Sequence, residues 1–284
     1  MSANSKIEWT EHTFNPWWGC EKVSPGCTHC YAESFSKRVG FAIWGHGTER
    51  RYFGVKHWSE PVKWDNTART LGVMHRVFCG SMCDVLEDRD GLTDPRMTAF
   101  DLADATPNLL WLFLTKRPEN AVAMLPTRWR KSWPRNVALG VTIEDQPRLE
   151  LRMPNVMNIH QAFPGVSMFA SCEPLLSSLE WRIPGLNWAN DTMEYFDWVI
   201  GGGESGNGCR QMEISWIRKL RNDCEERTDM GRPWPVPFLF KQWGGRLPGG
   251  PRELDGRTWD GIPILSYGPQ LPGVKCFGAD EVSA

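Results

Sequence analysis

Seven short apolar segments, separated by polar or helix-forming stretches, are the feature that most restricts the fold of this chain. They are a segment within residues 7–14 and the segments 77–79, 109–114, 137–143, 166–170, 198–200 and 236–240. Most are apolar at consecutive positions, which is typical of parallel strands buried on both faces. Stretches of helical composition lie between several of them, at residues 93–105, 144–153 and 213–226. Strands that alternate with helices predict βαβ units.

About seven strands favour an α/β fold with a full or partial (β/α) barrel of the TIM type, although a doubly wound sheet also fits the pattern. The chain has 284 residues, a length at which such barrels are often one domain. We expect the barrel to cover residues 1–246. A basic and aromatic insertion at residues 40–67, after the first strand, would cover the site. Residues 247–284 would form an irregular extension packed on the barrel, with turns at Asp255-Gly256 and Asp260-Gly261.

The composition predicts a folded cytoplasmic protein. Hydrophobic residues make up 41% of the chain and charged residues 23%, and no apolar run reaches the roughly 18 residues that span a bilayer. The first residues lack the apolar core of a signal peptide. A net charge of −2 gives no overall attraction to nucleic acid, so such a partner would need a local patch. The 16 tryptophans would serve either core packing or stacking on planar ligands.

Polar residues follow each predicted strand, at the edge where barrel enzymes carry their chemistry. Successive strand ends are followed by Ser81 and Asp84, Lys116 and Arg117, Thr142 and Glu144, Glu173, the run Gly202-Gly203-Glu204, and Lys241 with Gln242. The carboxyl ends of parallel strands meet at one rim. We therefore expect these side chains to lie near one another.

Three cysteines follow the first strand at the same rim. Cys20, Cys27 and Cys30 have the spacing C-x6-C-x2-C. Three thiolates suit zinc, with His29 or His12 as a fourth ligand, or three irons of a [4Fe–4S] cluster whose fourth iron stays open. No second C-x2-C or paired histidine supports a structural zinc site. Cys79 and Cys83, spaced C-x3-C, are further candidate ligands, although Cys79 lies in a predicted strand, where a packed thiol is its expected role.

Several motifs, in order, are similar to those of the phage-associated three-cysteine-motif proteins, a branch related to the radical S-adenosylmethionine (SAM) superfamily. They are residues 15–20 (Asn-Pro-Trp-Trp-Gly-Cys), 24–33, 80–84, 114–118, 140–144, 173–176, 202–206 and 240–244. The resemblance runs from about residue 7 to residue 263. The superfamily usually has C-x3-C-x2-C, whereas the first gap here is six residues.

The resemblance implies a radical SAM barrel with a [4Fe–4S] cluster on the three cysteines, SAM on the open iron, and an electron donor such as a flavodoxin or ferredoxin. One electron would cleave SAM to a 5′-deoxyadenosyl radical. The resemblance also implies which residues lie near SAM. They are Ser81 and Asp84 at the amino group, Thr142 and Glu144 at the ribose, Gly202, Gly203 and Glu204 along the backbone, and His29 beside the adenine. The glycine run would alternatively be a tight turn.

Cationic residues around the rim predict an anionic substrate, held by Lys116, Arg117, Arg210, Lys241 and Gln242. The alternative is that they pair with Glu173 and Glu204. Candidates for a catalytic side chain are Glu173, Lys116 and Lys241. The resemblance to a phage-associated radical SAM branch, with the Arg and Trp content of residues 40–67, implies a radical enzyme that modifies or repairs a nucleic-acid base or nucleotide. A metal-stabilised nucleic-acid-binding module and a radical enzyme acting on a small metabolite or peptide are the alternatives.

Overall fold

A curved parallel sheet forms the centre of the molecule. The computed structural model describes residues 2–3, 5, 7–185, 191–226, 235–246 and 251–263. The strands of the sheet are β1 (Ser2–Ala3), β2 (His12–Phe14), β3 (His75–Cys79), β4 (Leu109–Thr115), β5 (Val137–Thr142), β6 (Met168–Cys172), β7 (Trp198–Gly202) and β8 (Phe238–Gln242). They pair in sequence order, β1 antiparallel to β2 and all others parallel. The α/β prediction is confirmed, and the seven parallel strands form a half-barrel.

Helices connect the parallel strands. They are α1 (Tyr31–Arg38), α2 (Val55–Trp58), α3 (Glu60–Leu71), α4 (Thr93–Ala105), α5 (Ala121–Met124), α6 (Gln146–Ala162) and α7 (Ile214–Glu225). Helix α6 continues nine residues beyond the predicted end at residue 153, through Pro154. Proline removes the hydrogen bond to the carbonyl four residues earlier, but Pro154 and Glu150 are both exposed, so water can bind that carbonyl. Among the helices of the described residues, none is long and apolar enough to cross a membrane.

Trp9 shows how strongly the sheet curves. It precedes β2, yet its ring centroid lies 4.6 Å from that of Phe78 in β3 and 6.0 Å from that of Trp198 in β7. In a flat sheet those two strands would be about 19 Å apart, at roughly 4.8 Å per strand. The sheet therefore curls around Trp9, and Leu112 and Phe169 complete the same inner cluster.

The outer face of the sheet is equally apolar. Trp111 and Phe113 of β4 point outwards into a second and larger cluster, where Phe100 of α4 packs on Phe113 and Trp129 packs on Phe100. Leu112, between them, points inwards. Burial of both faces explains why the strand sequences show no alternation of polar and apolar residues.

The range predicted as an insertion contains two different structures. Its first part runs beside the segment that carries Cys20: Trp44 pairs with Cys20, and Arg51 with Trp18, through backbone bridges. The Arg51 guanidinium lies over the rings of Trp18, Phe41 and Phe53, at 4.8, 4.1 and 5.2 Å from their centroids. Its last part belongs to α3, a regular crossover helix.

The described part of the C-terminal extension contains a hairpin of β9 (Glu253–Leu254) and β10 (Arg257–Thr258). Its turn has positive φ at Asp255 and Gly256, as the sequence predicts. The turn predicted at Asp260-Gly261 is wrong. Asp260 pairs with Leu239 of β8, and a Cβ on Gly261 would lie 2.6 Å from the Phe238 carbonyl oxygen, so glycine permits close approach of two backbones. Residues 247–250 and 264–284 of the predicted extension lie outside the described residues.

Inner-face packing predicts the effect of Gly140→Ala. The added Cβ would lie 2.1 Å from Cζ of Phe169 on the neighbouring strand, so the ring or strand must shift. We expect a loss of about 2 kcal/mol in the free energy of unfolding, measured by urea titration. Gly54→Ala is the control, because a Cβ there meets no atom within 4 Å and φ is negative. Equal stability of the two variants would contradict this packing.

Candidate functional site at the carboxyl ends of the strands

The cysteine loop, residues 20–30, lies across the carboxyl ends of the strands. It follows β2, forms a short 3₁₀ turn at Pro25–Cys27, and ends where Cys30 caps the start of α1. Cys20, Cys27 and Cys30 are each partly exposed as whole residues. Within the described residues, no group of three or more His, Cys, Asp or Glu side chains is arranged to hold a metal ion.

Cys20 and Cys30 each lie next to positive groups. Burial, with the charge of Asp84, raises the pKa of Cys20 to about 12, and Arg117, whose Nη1 lies 3.7 Å from Sγ, partly opposes that rise. Burial also raises the pKa of Cys30, while hydrogen bonds from backbone N–H groups at the start of α1 and the charge of Lys116 act to lower it. A metal ion removes the thiol protons on binding, and neighbouring cations favour the thiolates. Three cysteines in one loop are thus the type of donor that a thiolate-bound metal or cluster uses, although the described side chains are not gathered around one point.

Asp84 connects the ends of β3 and β4. Its carboxylate accepts hydrogen bonds from the Thr115 hydroxyl at 2.6 Å, the Lys116 backbone N–H at 2.9 Å, Nη1 of Arg117 at 2.9 Å and the Leu86 backbone N–H at 3.0 Å. Arg117, oriented in this way, also donates from Nη2 to the Glu21 carbonyl at 2.9 Å. The pair thus anchors the beginning of the cysteine loop.

Glu204, after β7, anchors the middle of the same loop. It accepts hydrogen bonds from the Arg210 backbone N–H at 2.8 Å and from Nε at 2.9 Å, while Nη2 of Arg210 donates to the Pro25 carbonyl at 2.9 Å. Nδ1 of His29 lies 3.0 Å from Glu204 Oε2. Because a carboxylate only accepts, Nδ1 carries the proton. Burial alone would raise the pKa of Glu204, but the bonds from Arg210 and His29 lower it to about 2.

Glu144, after β5, lies beneath the turn of the cysteine loop. A Cβ on Gly26 would lie 3.1 Å from its Oε1, and the Ser24 hydroxyl hydrogen-bonds to it. Arg152 of α6 pairs with Glu144 and donates to the Thr142 carbonyl at 2.7 Å. Burial would raise the pKa of Glu144, but the charge of Arg152 foremost, together with that of Lys116, lowers it.

The predicted substrate residues are mostly ion-paired. Nζ of Lys241 lies 2.7 Å from both carboxylate oxygens of Glu173, and Gln242 donates to Glu173 at 3.1 Å. Lys241 with Glu173 and Arg210 with Glu204 form the pairs of the alternative considered above, whereas Arg117 pairs with Asp84 instead. Nζ of Lys116 lies 3.4 Å from the Thr142 hydroxyl, at the mouth of the half-barrel.

The glycine run after β7 packs against the protein itself. A Cβ on Gly203 would lie 1.9 Å from the Trp243 carbonyl oxygen, so the loops after β7 and β8 touch backbone to backbone. Gly202 accepts a hydrogen bond from the Leu175 N–H at 2.8 Å. These contacts account for glycine at this corner.

Ser81 accepts from the Asn15 side chain, and its carbonyl accepts from the Tyr31 hydroxyl, each at 2.9 Å.

Several residues that shape the site were not predicted. Asn15 accepts the Met82 N–H at 2.7 Å in addition to its bond to Ser81. Its place in the motif before Cys20 is the one signal that pointed to it. Arg152 lies within a helix, where no sequence feature marks an inward-facing arginine.

Other predicted metal ligands lie elsewhere. Nε2 of His12 is 3.1 Å from Nδ1 of His75, and the His12 ring stacks on Trp64 of α3. Cys79 is buried in β3, as predicted for a packed thiol, and Cys83 is buried with its sulfur 3.7 Å from Asn15 Oδ1. His29 is therefore the nearer of the two histidines considered for a fourth ligand.

The lowered pKa of Glu204 predicts a pH-dependent contribution to stability. With a folded pKa of about 2 against the usual 4.5, the contribution is complete above about pH 5 and is lost as the pH falls from 4.5 towards 2. The difference in unfolding free energy between the wild type and Glu204→Gln should therefore shrink between pH 5 and pH 3. Urea titrations across this range measure it. A difference that stays constant would show that the carboxylate is not held ionised.

One comparison with known proteins identifies a family. The model of a family described as a protein of unknown function, DUF5131, matches residues 4–263. No curated protein matches the sequence. The family match covers all the strands after β1 and every loop of the rim described above. The chain therefore belongs to the DUF5131 family.

Proposed function

We propose that this protein is a radical SAM enzyme in which Cys20, Cys27 and Cys30 hold a [4Fe–4S] cluster. The observation that carries the proposal is the place of the three-cysteine loop at the carboxyl rim of a parallel half-barrel, with Arg117 Nη1 3.7 Å from Cys20 Sγ and the charge of Lys116 acting on Cys30. Three protein ligands leave one iron open, which is the coordination that SAM requires in this superfamily. Bound there, the cluster would supply the electron that generates a 5′-deoxyadenosyl radical from SAM, with a flavodoxin or ferredoxin as donor.

The residues of the rim would orient these groups rather than carry the chemistry. Arg117, Glu144 and the Glu204–Arg210 pair fix the cysteine loop. Lys116 faces the mouth beside Thr142, where its ammonium would bind an anionic group of SAM or of the substrate. Glu173 is engaged by Lys241 and Gln242, so its use as an acid or base would require these hydrogen bonds to break.

The proposed substrate is a nucleic-acid base or nucleotide. The support is the segment beside the rim, which pairs with Cys20 through Trp44 and exposes His46, Tyr52 and Lys56. An exposed tyrosine offers a face for base stacking, and a lysine offers a charge for phosphate. The neutralised arginines of the rim leave fewer free charges than the sequence indicated, so the affinity for phosphate would be modest.

Replacing the proposed ligands tests the cluster. Cys20→Ala, Cys27→Ala and Cys30→Ala should each lose most of the iron and sulfide bound after anaerobic reconstitution, together with formation of 5′-deoxyadenosine. Each variant removes one of three thiolate ligands. Metal analysis, electron paramagnetic resonance with and without SAM, and chromatography of the nucleoside products measure these outcomes.

Cys209→Ser is the matched control, because Cys209 is also a partly exposed thiol but lies outside the proposed ligand set. It should retain iron and product formation. A colourless wild type with stoichiometric zinc and no SAM-dependent spectral change would contradict the proposal and favour the metal-stabilised binding module, with His29 as the fourth ligand.

Salt dependence tests the substrate class. Binding of a single-stranded oligonucleotide, followed by fluorescence anisotropy, should weaken as the salt concentration rises from 50 to 200 mM, because bound phosphates release counterions. Lys56→Ala should reduce the slope of log K against log salt by about one. Affinity that is independent of salt, or equal in the variant, would point instead to a small metabolite or peptide.

A further inference from the structure

The Glu204–Arg210 pair contacts the cysteine loop at two separate points. Arg210 reaches the Pro25 carbonyl, and Glu204 reaches His29, the residue before Cys30. The loop from Glu204 to Arg210 also packs against His29, because a Cβ on Gly208 would lie 3.3 Å from the His29 ring. The turn that contains Cys27 is therefore held from both sides by one short segment after β7.

Arg210 acts on the hydrogen bonds that define this turn. The Cys27 N–H donates to the Ser24 carbonyl at 2.9 Å, and the Thr28 N–H donates to the Pro25 carbonyl at 3.1 Å. The Pro25 carbonyl is thus shared between Thr28 and Nη2 of Arg210. Loss of Arg210 would remove the bond that ties the Pro25 carbonyl to the segment after β7 and would leave the bond of Ser24 to Glu144 in place.

The planar guanidinium suits this task for a geometric reason. Nε of Arg210 is used on Glu204 while Nη2 also reaches the Pro25 carbonyl, so one side chain spans the carboxylate and the loop. A lysine has a single nitrogen at its end and would not span both in the same way. Glu204 is 4% exposed at its side chain and fixes the direction of that fork.

We infer that Glu204 and Arg210 are positioning residues that hold Cys27 and Cys30 in place for cluster binding, rather than residues that contact SAM or substrate. The role of the pair in cluster binding rests on the function proposed above, whereas its contacts with the loop do not. The contacts themselves involve only this chain.

Hydrogen exchange in the cluster-free protein tests the positioning. In Arg210→Lys and Glu204→Gln, the amides of Cys27 and Thr28 should exchange about tenfold faster than in the wild type, a factor that corresponds to about 1.4 kcal/mol. Arg76→Lys is the matched control. It weakens another arginine–glutamate pair, with Glu11, whose Nη2–Oε1 distance is 2.6 Å, at the opposite end of the sheet. Unchanged exchange in the loop, or acceleration spread over the whole sheet, would overturn the inference.

Iron binding separates this inference from the proposed function. After reconstitution, Arg210→Lys should bind at least about threefold less iron than wild type and Arg76→Lys, with an altered paramagnetic resonance spectrum of what remains. Full iron content and an unchanged spectrum in Arg210→Lys would overturn the positioning role alone. A wild type that binds no iron would overturn the proposed function, while the exchange measurement would still decide whether the pair holds the loop.

Discussion

The buried carboxylate of Asp84 is the constraint on which the arrangement of the rim most depends. It accepts donors from its own loop, from the end of β4 and from Arg117, which in turn bonds the cysteine loop. Breaking a buried pair of this kind leaves a charge without compensation, which is far more costly than the loss of an exposed pair. The positions of the first proposed ligand and of two strand ends are therefore coupled through one side chain.

A second consequence of these pairs concerns the charge of the site. Arg117, Arg210 and Lys241 each neutralise a carboxylate, so the cations from which the sequence predicts an anion-binding site already hold loops in place. Rigid support of this sort is what a site needs when several ligands must meet at one centre. The rim is better suited to precise placement of thiols than to strong electrostatic capture of a substrate.

Much of the fold could be predicted because each parallel strand is apolar on both faces and stands out as a short run. The polar ends of the runs also indicated which loops would meet. The partners within the rim could not be predicted, since the pairing of Glu144 with Arg152 depends on how α6 lies on the sheet. Similarly, Gly203 suggested approach of a ligand, whereas its neighbour is the Trp243 carbonyl. Spacing along the chain gives residue types at a rim but not which of them face each other.

The packing of the Arg51 guanidinium on three aromatic rings limits how the length of the segment before α2 can change. Arg51 is hydrogen-bonded through its backbone to Trp18, and its guanidinium packs on three rings. A change in chain length near Arg51 would therefore shift Trp18, and with it Cys20, which follows Trp18 by two residues. His46, by contrast, is exposed. Added residues or a bulky label would thus be accommodated at the tip of this segment, while its base keeps a fixed length.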